Sequence, residues 1–279
     1  QLAGVYALNS NYVTVGADAT GNISGNLIGI APDGVHAAAN GIGVYADLHS
    51  DHMTIRNSRI GYSLLYGTYS FTADATALLD NVISNNASAG ASFLNGAGHS
   101  VGSNKIGTTS DGLSAAPNRG GGLYFAYVGT GNIVSDNLIA YNGGSGIAVD
   151  DQSHVLIGAN DIYANAGLPV DLGHDGFSPN GLHFPPGPND WLPYPVITNG
   201  STNLITGFGC ANCAVYIYTA IGDPSRPGGG GKYLQYVFAS NSGEWVATLP
   251  AGMTRDDVTL MALDVGGAFD SSEMSPRDS

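Results

Sequence analysis

The chain has 279 residues, enough for a long repetitive shaft plus one further domain. Charged residues make up only 11% of it, against roughly 25% in ordinary soluble domains, while glycine occurs 42 times, which favours a turn-rich, tightly stacked scaffold over a helical enzyme. A net charge of −14 with 8 Lys+Arg argues against nucleic acid as a partner, since phosphate binding needs clustered cations.

Gln1 enters a strand-like run almost at once (Val5, Ala7, then Tyr12 to Val15) without a signal peptide, so a mature or trimmed product is expected. No apolar run approaches the roughly 18 residues of a membrane span. From there a repeat takes over. Anchor positions fall at Asn26, Ser58, Asn81, Asn104, Asn137 and Asn160, with spacings of 32, 23, 23, 33 and 23. Two positions after each anchor come Ile28, Ile60, Ile83, Ile106, Ile139 and Ile162. Three before come Ile23, Ile55, Leu78, Val101, Val134 and Ile157. About ten positions further on lie the pairs Ile42/Val44, Ala91/Phe93, Leu123/Phe125, Ile147/Val149 and Val170/Leu172. The two long spacings carry similar inserts, 31–40 and 108–118.

A unit of about 23 residues is too short to hold a helix and return, so each coil is predicted to be short strands joined by tight turns. Stacked coils then form parallel sheets with rungs about 4.8 Å apart. The isoleucines two after the anchor are expected to pile up inside, with the anchor Asn residues forming a ladder at a bend. With six N-x-I-x-x-N and N-x-G-x-G-I/V-x-V/F units in register, residues 1–172 resemble the right-handed parallel β-helix repeat family. Such a shaft needs its first edge covered, because open edges pair with other chains. No amphipathic helix precedes the first coil, so either a cap has been cut away or loops serve, or the first coil (Leu2, Val5, Tyr12, Val13) docks on a second copy, giving a head-to-tail filament.

After Leu172 the register breaks, and 173–197 reads as a Pro/Gly-rich closing loop and arm. It resembles the segment that seals the last coil of many secreted β-helix proteins, matching at Asp171, Leu172, Gly173, Asp175, Gly176, Pro179, Asn180, Gly187, Pro188, Asn189, Tyr194, Pro195 and Val196. Residues between Asn180 and Gly187 depart from that pattern, replacing acidic residues with aromatics and prolines. No cofactor is therefore expected, with calcium at Asp171 and Asp175 a minor alternative. From 198 to 279 the strands Leu204–Phe208, Val215–Tyr218, Tyr233–Ala239, Glu244–Leu249 and Val258–Asp264 predict a small Ig-like antiparallel sandwich. Its order is similar to the C-terminal sandwich of the same secreted group. The two cysteines, Cys210 and Cys213, lack the helix of a redox C-x-x-C and the further ligands of a zinc site. A disulfide across a tight turn, made in an oxidising compartment, is the preferred reading.

Many β-helix proteins act on polysaccharides, so several groups are candidates for chemistry. Arg59 and Lys105 share one outward column but sit two coils apart, about 10 Å, with Val82 between. Asp150 and Asp151 with His154 form the best candidate for a carboxylate pair; Gly98-His99-Ser100 precedes rather than follows it, opposite to the order in polygalacturonase-like enzymes. Asp47, His49, Asp51 and His52 are the densest set of potential metal ligands. Tyr216, Tyr218, Tyr233, Tyr236 and Trp245 are candidates for stacking on sugar rings. The expectation is an extracellular or cell-surface structural or adhesive protein, whose partner is itself or a glycan. The alternatives are a polysaccharide-active enzyme at Asp150/Asp151 and a carbohydrate-binding module on the sandwich.

Overall fold

The computed structural model describes residues 2–16, 25–182, 186–201, 203–221, 230–267 and 269–276. Three parallel sheets run along a shaft. The broadest stacks Ala3–Leu8, Ile42–Asp47, Thr68–Phe71, Ala91–Leu94, Leu123–Ala126, Ile147–Asp150 and Val170–Leu172. The second runs from Thr14–Gly16 to Val155–Ile157, and the third from Leu27–Ile28 to Asp161–Tyr163, each with six strands. No α-helix occurs among the described residues, and none is long and apolar enough to cross a membrane.

The isoleucines two after each anchor pair rung by rung, from Ile28 to Ile60, Ile83, Ile106, Ile139 and Ile162. All are buried, from 0% to 6% exposed. Stacking identical branched side chains at rung spacing fills the interior without gaps and removes from water surface worth roughly 1.5–3 kcal/mol per residue. The anchors form a hydrogen-bonded ladder: Asn81 Nδ2 donates to Asn104 Oδ1 (3.0 Å), Asn104 to Asn137 (2.9 Å) and Asn137 to Asn160 (2.9 Å). A second ladder, which the sequence pattern does not single out, joins Asn86, Asn118, Asn142 and Asn165 at 2.8–2.9 Å. Between coils the chains touch closely. A Cβ on Gly122 would sit 2.6 Å from Ile139 Cγ2 and 2.5 Å from the Gly146 carbonyl oxygen, so only glycine fits there.

The structure shifts two details of the repeat. Opposite Ile55 stands Val15, whereas Ile23 lies outside the described residues. The first coil reaches the second sheet early, before its long connection, which the anchor arithmetic could not register. In the broad sheet Val44 and Ala46, not Ile42 and Val44, align with the inward residues Ala91 and Phe93 through Thr68 and Ser70. Ile42 instead pairs with Ala3 of the first strand.

The C-terminal domain consists of two antiparallel sheets, Val196–Ser201 with Leu204–Phe208 and Glu244–Thr248, and Tyr233–Phe238 with Ala214–Thr219 and Val258–Leu263. Ile205, Val215, Ile217, Trp245, Ala247 and Leu260 fill the space between them. Cys210 and Cys213 are bonded in the turn before Ala214. The second sheet's other face closes the shaft, because Ala214, Tyr218, Met261, Leu263 and Met274 belong to the shaft's own core. Backbone groups at the last coil's edge are met across this junction. Ser271 Oγ accepts from Ile157 N (2.7 Å), Gly231 O accepts from Ile162 N (2.9 Å), and Glu273 Oε1 accepts from Leu172 N (3.0 Å). The closing loop contributes Asn189, but the tail at 270–275 seals as much of the edge.

Candidate functional site

Alternation in the broad sheet sends every second side chain outward. The column between the two buried ones reads Tyr6, Tyr45, Tyr69, Ser92, Tyr124, Ala148 and Asp171. Its tyrosine rings lie tilted against one another, with Tyr6–Tyr45 at 5.1 Å and Tyr45–Tyr69 at 5.2 Å between ring centroids. Tyr66 and Phe71 widen the stack, at 5.1 and 6.1 Å from Tyr69. Beyond the small side chain of Ser92, a groove opens with a floor of Gly120, Gly121 and Ala148 and walls of Tyr66, Tyr124 and His174. Glycines and alanine there leave room against aromatic faces.

Carboxylates mark both ends of this face. Near one end Asp47 Oδ2 accepts from the Tyr6 hydroxyl at 2.9 Å. Burial, followed by the Asp47 charge, pushes the Tyr45 phenol up to about 12. Near the other end Asp150 Oδ2 accepts from the Tyr124 hydroxyl at 3.1 Å, Asp150 Oδ1 accepts from Asp151 N at 2.8 Å, and the neighbouring Asp151 carboxylate raises the Tyr127 phenol. Burial and then the Asp150 charge raise the Tyr124 phenol. The Tyr6 and Tyr124 phenols stay protonated in neutral solution and donate to their carboxylates. Asp47 and Asp150 occupy one column four rungs apart, about 19 Å, so they do not make an acid–base pair of the 5–9.5 Å kind.

The remaining candidates fall elsewhere. His154 does not complete a triad with the Asp150–Asp151 bend: its Nδ1 faces Asp270 Oδ1 at 3.0 Å and Oδ2 at 3.2 Å. Asp47, His49, Asp51 and His52 do not gather, since His52 stacks on Tyr12 at 4.7 Å and Asp51 Oδ1 accepts from Asp74 N at 2.8 Å. Among the described residues the one group of three metal-ligand side chains within 4.8 Å is His154, Asp190 and Asp270. Asp171 accepts from Ser145 Oγ (2.7 Å) and Gly176 N (3.2 Å), so its oxygens tie down the closing loop. Arg59 and Lys105 flank Val82 in the third sheet. Among the sandwich aromatics, Tyr218 and Trp245 are buried, at 0% and 2% exposed, and therefore unable to meet a sugar; the Tyr218 hydroxyl donates to Gly158 O at 2.9 Å. Tyr216 and Tyr233 pack against the shaft's core, and Tyr236 stacks on Tyr216 at 5.3 Å. Leu2 (64% exposed) and Tyr12 (75%, against His52) are exposed at the first rung, with Val5 and Val13 partly buried.

Sequence reasoning passed over the tyrosine column. Its signal was nonetheless available: Tyr45, Tyr69 and Tyr124 each stand one residue after an inward-facing Val44, Thr68 or Leu123.

Comparison with known proteins bears on the fold. No curated protein matches the sequence. Among solved structures, full-length tailspike protein 2 from Escherichia coli O157:H7 bacteriophage CAB120 is similar at 8% identity and a TM-score of 0.24, covering 91% of this chain. The chain spans 58% of that protein's length. The family model for the right handed beta helix region matches residues 3–180, the span of the three parallel sheets. By that match and by its stacked coils, the chain belongs to the right-handed β-helix family.

Proposed function

We propose that the protein is a non-enzymatic glycan-binding shaft of the extracellular space, and that the tyrosine face of its broad sheet holds the glycan. The outward column Tyr6–Tyr45–Tyr69–Tyr124 carries this reading. Aromatic rings offer flat apolar faces for the C–H side of a pyranose. The carboxylates beside them, Asp47 and Asp150, accept hydroxyl hydrogen bonds. With a net charge of −14 and no Lys or Arg on this column, the face repels polyuronates. Its ligand class is a neutral or amino-bearing glycan chain. The Cys210–Cys213 bond fits an oxidising compartment.

Calorimetric titration with neutral, amino and uronic oligosaccharides tests this. Neutral or amino chains are expected to bind, with Tyr69→Ala and Tyr124→Ala weakening them about tenfold each, the loss of a stacking contact of roughly 1.4 kcal/mol. Unchanged affinity in both variants, or preference for polyuronate, rejects the reading. Release of reducing ends, lost in Asp151→Asn, would favour the enzyme alternative, whose support is the Asp150–Asp151 pair with its Tyr124 donor. Self-association through Leu2, Val5, Tyr12 and Val13 is a second reading, resting on the exposed apolar side chains of the first rung, and light scattering of the purified chain decides it.

A further inference from the structure

We infer that His154, Asp190 and Asp270 bind a first-row divalent cation, zinc(II) fitting the donor set best, at the seam between the shaft's last coil, the closing loop and the C-terminal tail. One imidazole nitrogen and two carboxylate oxygens, all within 4.8 Å of one another, come from three segments far apart in the sequence. Imidazole selects zinc, copper, iron or nickel over calcium or magnesium, while the carboxylates supply charge.

Two observations make this more than a meeting of polar side chains. The first is an unfilled buried acceptor. Asp270 is 2% exposed. A carboxylate has about four acceptor positions. Among the described residues, the His154 Nδ1–H, shared between both oxygens, is the one donor to this carboxylate. Asp190 and Asp264 add like charge beside it, and no described Lys or Arg forms an ion pair with any of the three carboxylates. A cation at the centre of the group would meet both needs.

The second is the framework behind the ligands. Asn189 is wholly buried. Its Oδ1 accepts from Val155 N at 2.7 Å, and its Nδ2 donates to Val155 O at 2.9 Å and Ser271 O at 2.7 Å. Val155, Asn189 and Ser271 are the chain neighbours of His154, Asp190 and Asp270. One buried amide therefore fixes the backbone next to all three ligands, the outer support that metal sites require. Zinc–nitrogen and zinc–oxygen bonds of about 2.0–2.2 Å need the donors to close by about 1 Å. Asp190 supplies that movement: it is half-buried, and its carboxylate accepts no hydrogen bond among the described residues. On binding, the Nδ1 proton is lost to solvent, the Nδ1 lone pair turns to the metal, and the neutral imidazole carries its single proton on Nε2. Solvent takes the fourth position from the open side of His154 and Asp190.

The test uses the full chain after chelation and dialysis, titrated calorimetrically with zinc chloride and, separately, calcium chloride, with thermal unfolding followed in each. The expected result is one zinc per chain, a melting temperature that rises with zinc, and little response to calcium. Asp190→Asn is the informative variant, because its side chain holds no buried bond. It should melt like the wild type without metal and bind zinc about tenfold or more weakly. His52→Gln controls for the exposed histidine by Tyr12 and should bind zinc as the wild type does. Absence of stoichiometric zinc, preference for calcium, or wild-type zinc affinity in Asp190→Asn would overturn the inference.

Discussion

Replacing Asn104 by alanine probes the ladder that holds the coils in register. Asn104 is 1% exposed. Its Nδ2 lies 2.8 Å from Leu78 O, 2.9 Å from Gly102 O and 2.9 Å from Asn137 Oδ1, while its Oδ1 accepts from Asn81 N at 2.9 Å and Asn81 Nδ2 at 3.0 Å. The two amide hydrogens serve three acceptors, so alanine removes about four full hydrogen bonds. Each is worth about 1 kcal/mol net, and more where a partner stays buried and unmet. The sum, about 4–6 kcal/mol, matches or exceeds the roughly 2–5 kcal/mol expected for Ile106→Ala in the neighbouring column. It is also a large share of a typical stability of about 5–15 kcal/mol. Urea unfolding followed by far-UV circular dichroism should show the midpoint falling by about 1–2 M, for a slope of about 3 kcal/mol/M. Asn104→Asp, which keeps the acceptor but loses both donors and adds charge, should be no better. A loss below about 1 kcal/mol in Asn104→Ala would refute the reasoning, since it would mean that the ladder amides are solvated.

Glu273 should make stability depend on pH. Burial, with Asp171 and Asp175 nearby, raises its carboxyl to about 8, although Leu172 N and Ser178 N both donate to it. The folded state therefore holds a proton that the unfolded chain has released above its ordinary value of 4.5. The native state is penalised progressively as pH rises from about 4.5 to 8, at up to about 1.4 kcal/mol per unit, and the penalty is absent below that window. Glu273→Gln should flatten the decline in chemical-denaturation stability between pH 5 and 8; a slope parallel to that of the wild type contradicts the assignment. Reducing the Cys210–Cys213 bond, which spans three residues, should cost about 2 kcal/mol of sandwich stability, read from the melting temperature with and without reductant. No change in melting would show that the turn is held without it.

The shaft was legible in the sequence because one buried position recurs in every coil, and a recurring aliphatic with period-2 flanks at this spacing points to stacked strands. Limits of the five expected sandwich strands fell within about one residue of those observed, as in Ala214–Thr219 and Glu244–Thr248, but the sixth strand, Val196–Ser201, was read as the end of the closing arm and the start of a turn. What stayed hidden depended on register across inserts. Val15 takes the place expected of Ile23 because the long connection of the first coil follows, rather than precedes, its second strand. Similarly, Asn118 stands fourteen residues after its anchor Asn104, whereas Asn86 stands five after Asn81, so the second ladder is blurred by the insert. The tail at 270–275 seals the last coil through single side chains, Ser271 and Glu273, in a stretch without periodicity. Asp150 stood out as half of a carboxylate pair, but its donor Tyr124 lies one coil earlier and becomes visible only when the rungs are aligned. His154 looked like a partner for the adjacent aspartates, but its carboxylate partner is more than a hundred residues away.

Hydroxyl-radical footprinting of the tyrosines, with and without a saturating neutral or amino oligosaccharide, tests the glycan face most directly. The account predicts that Tyr6, Tyr45, Tyr69 and Tyr124 become protected while the sandwich's Tyr236, 49% exposed, reacts as before. Protection confined to the sandwich tyrosines, with the shaft's column unchanged in the presence of bound glycan, would contradict it.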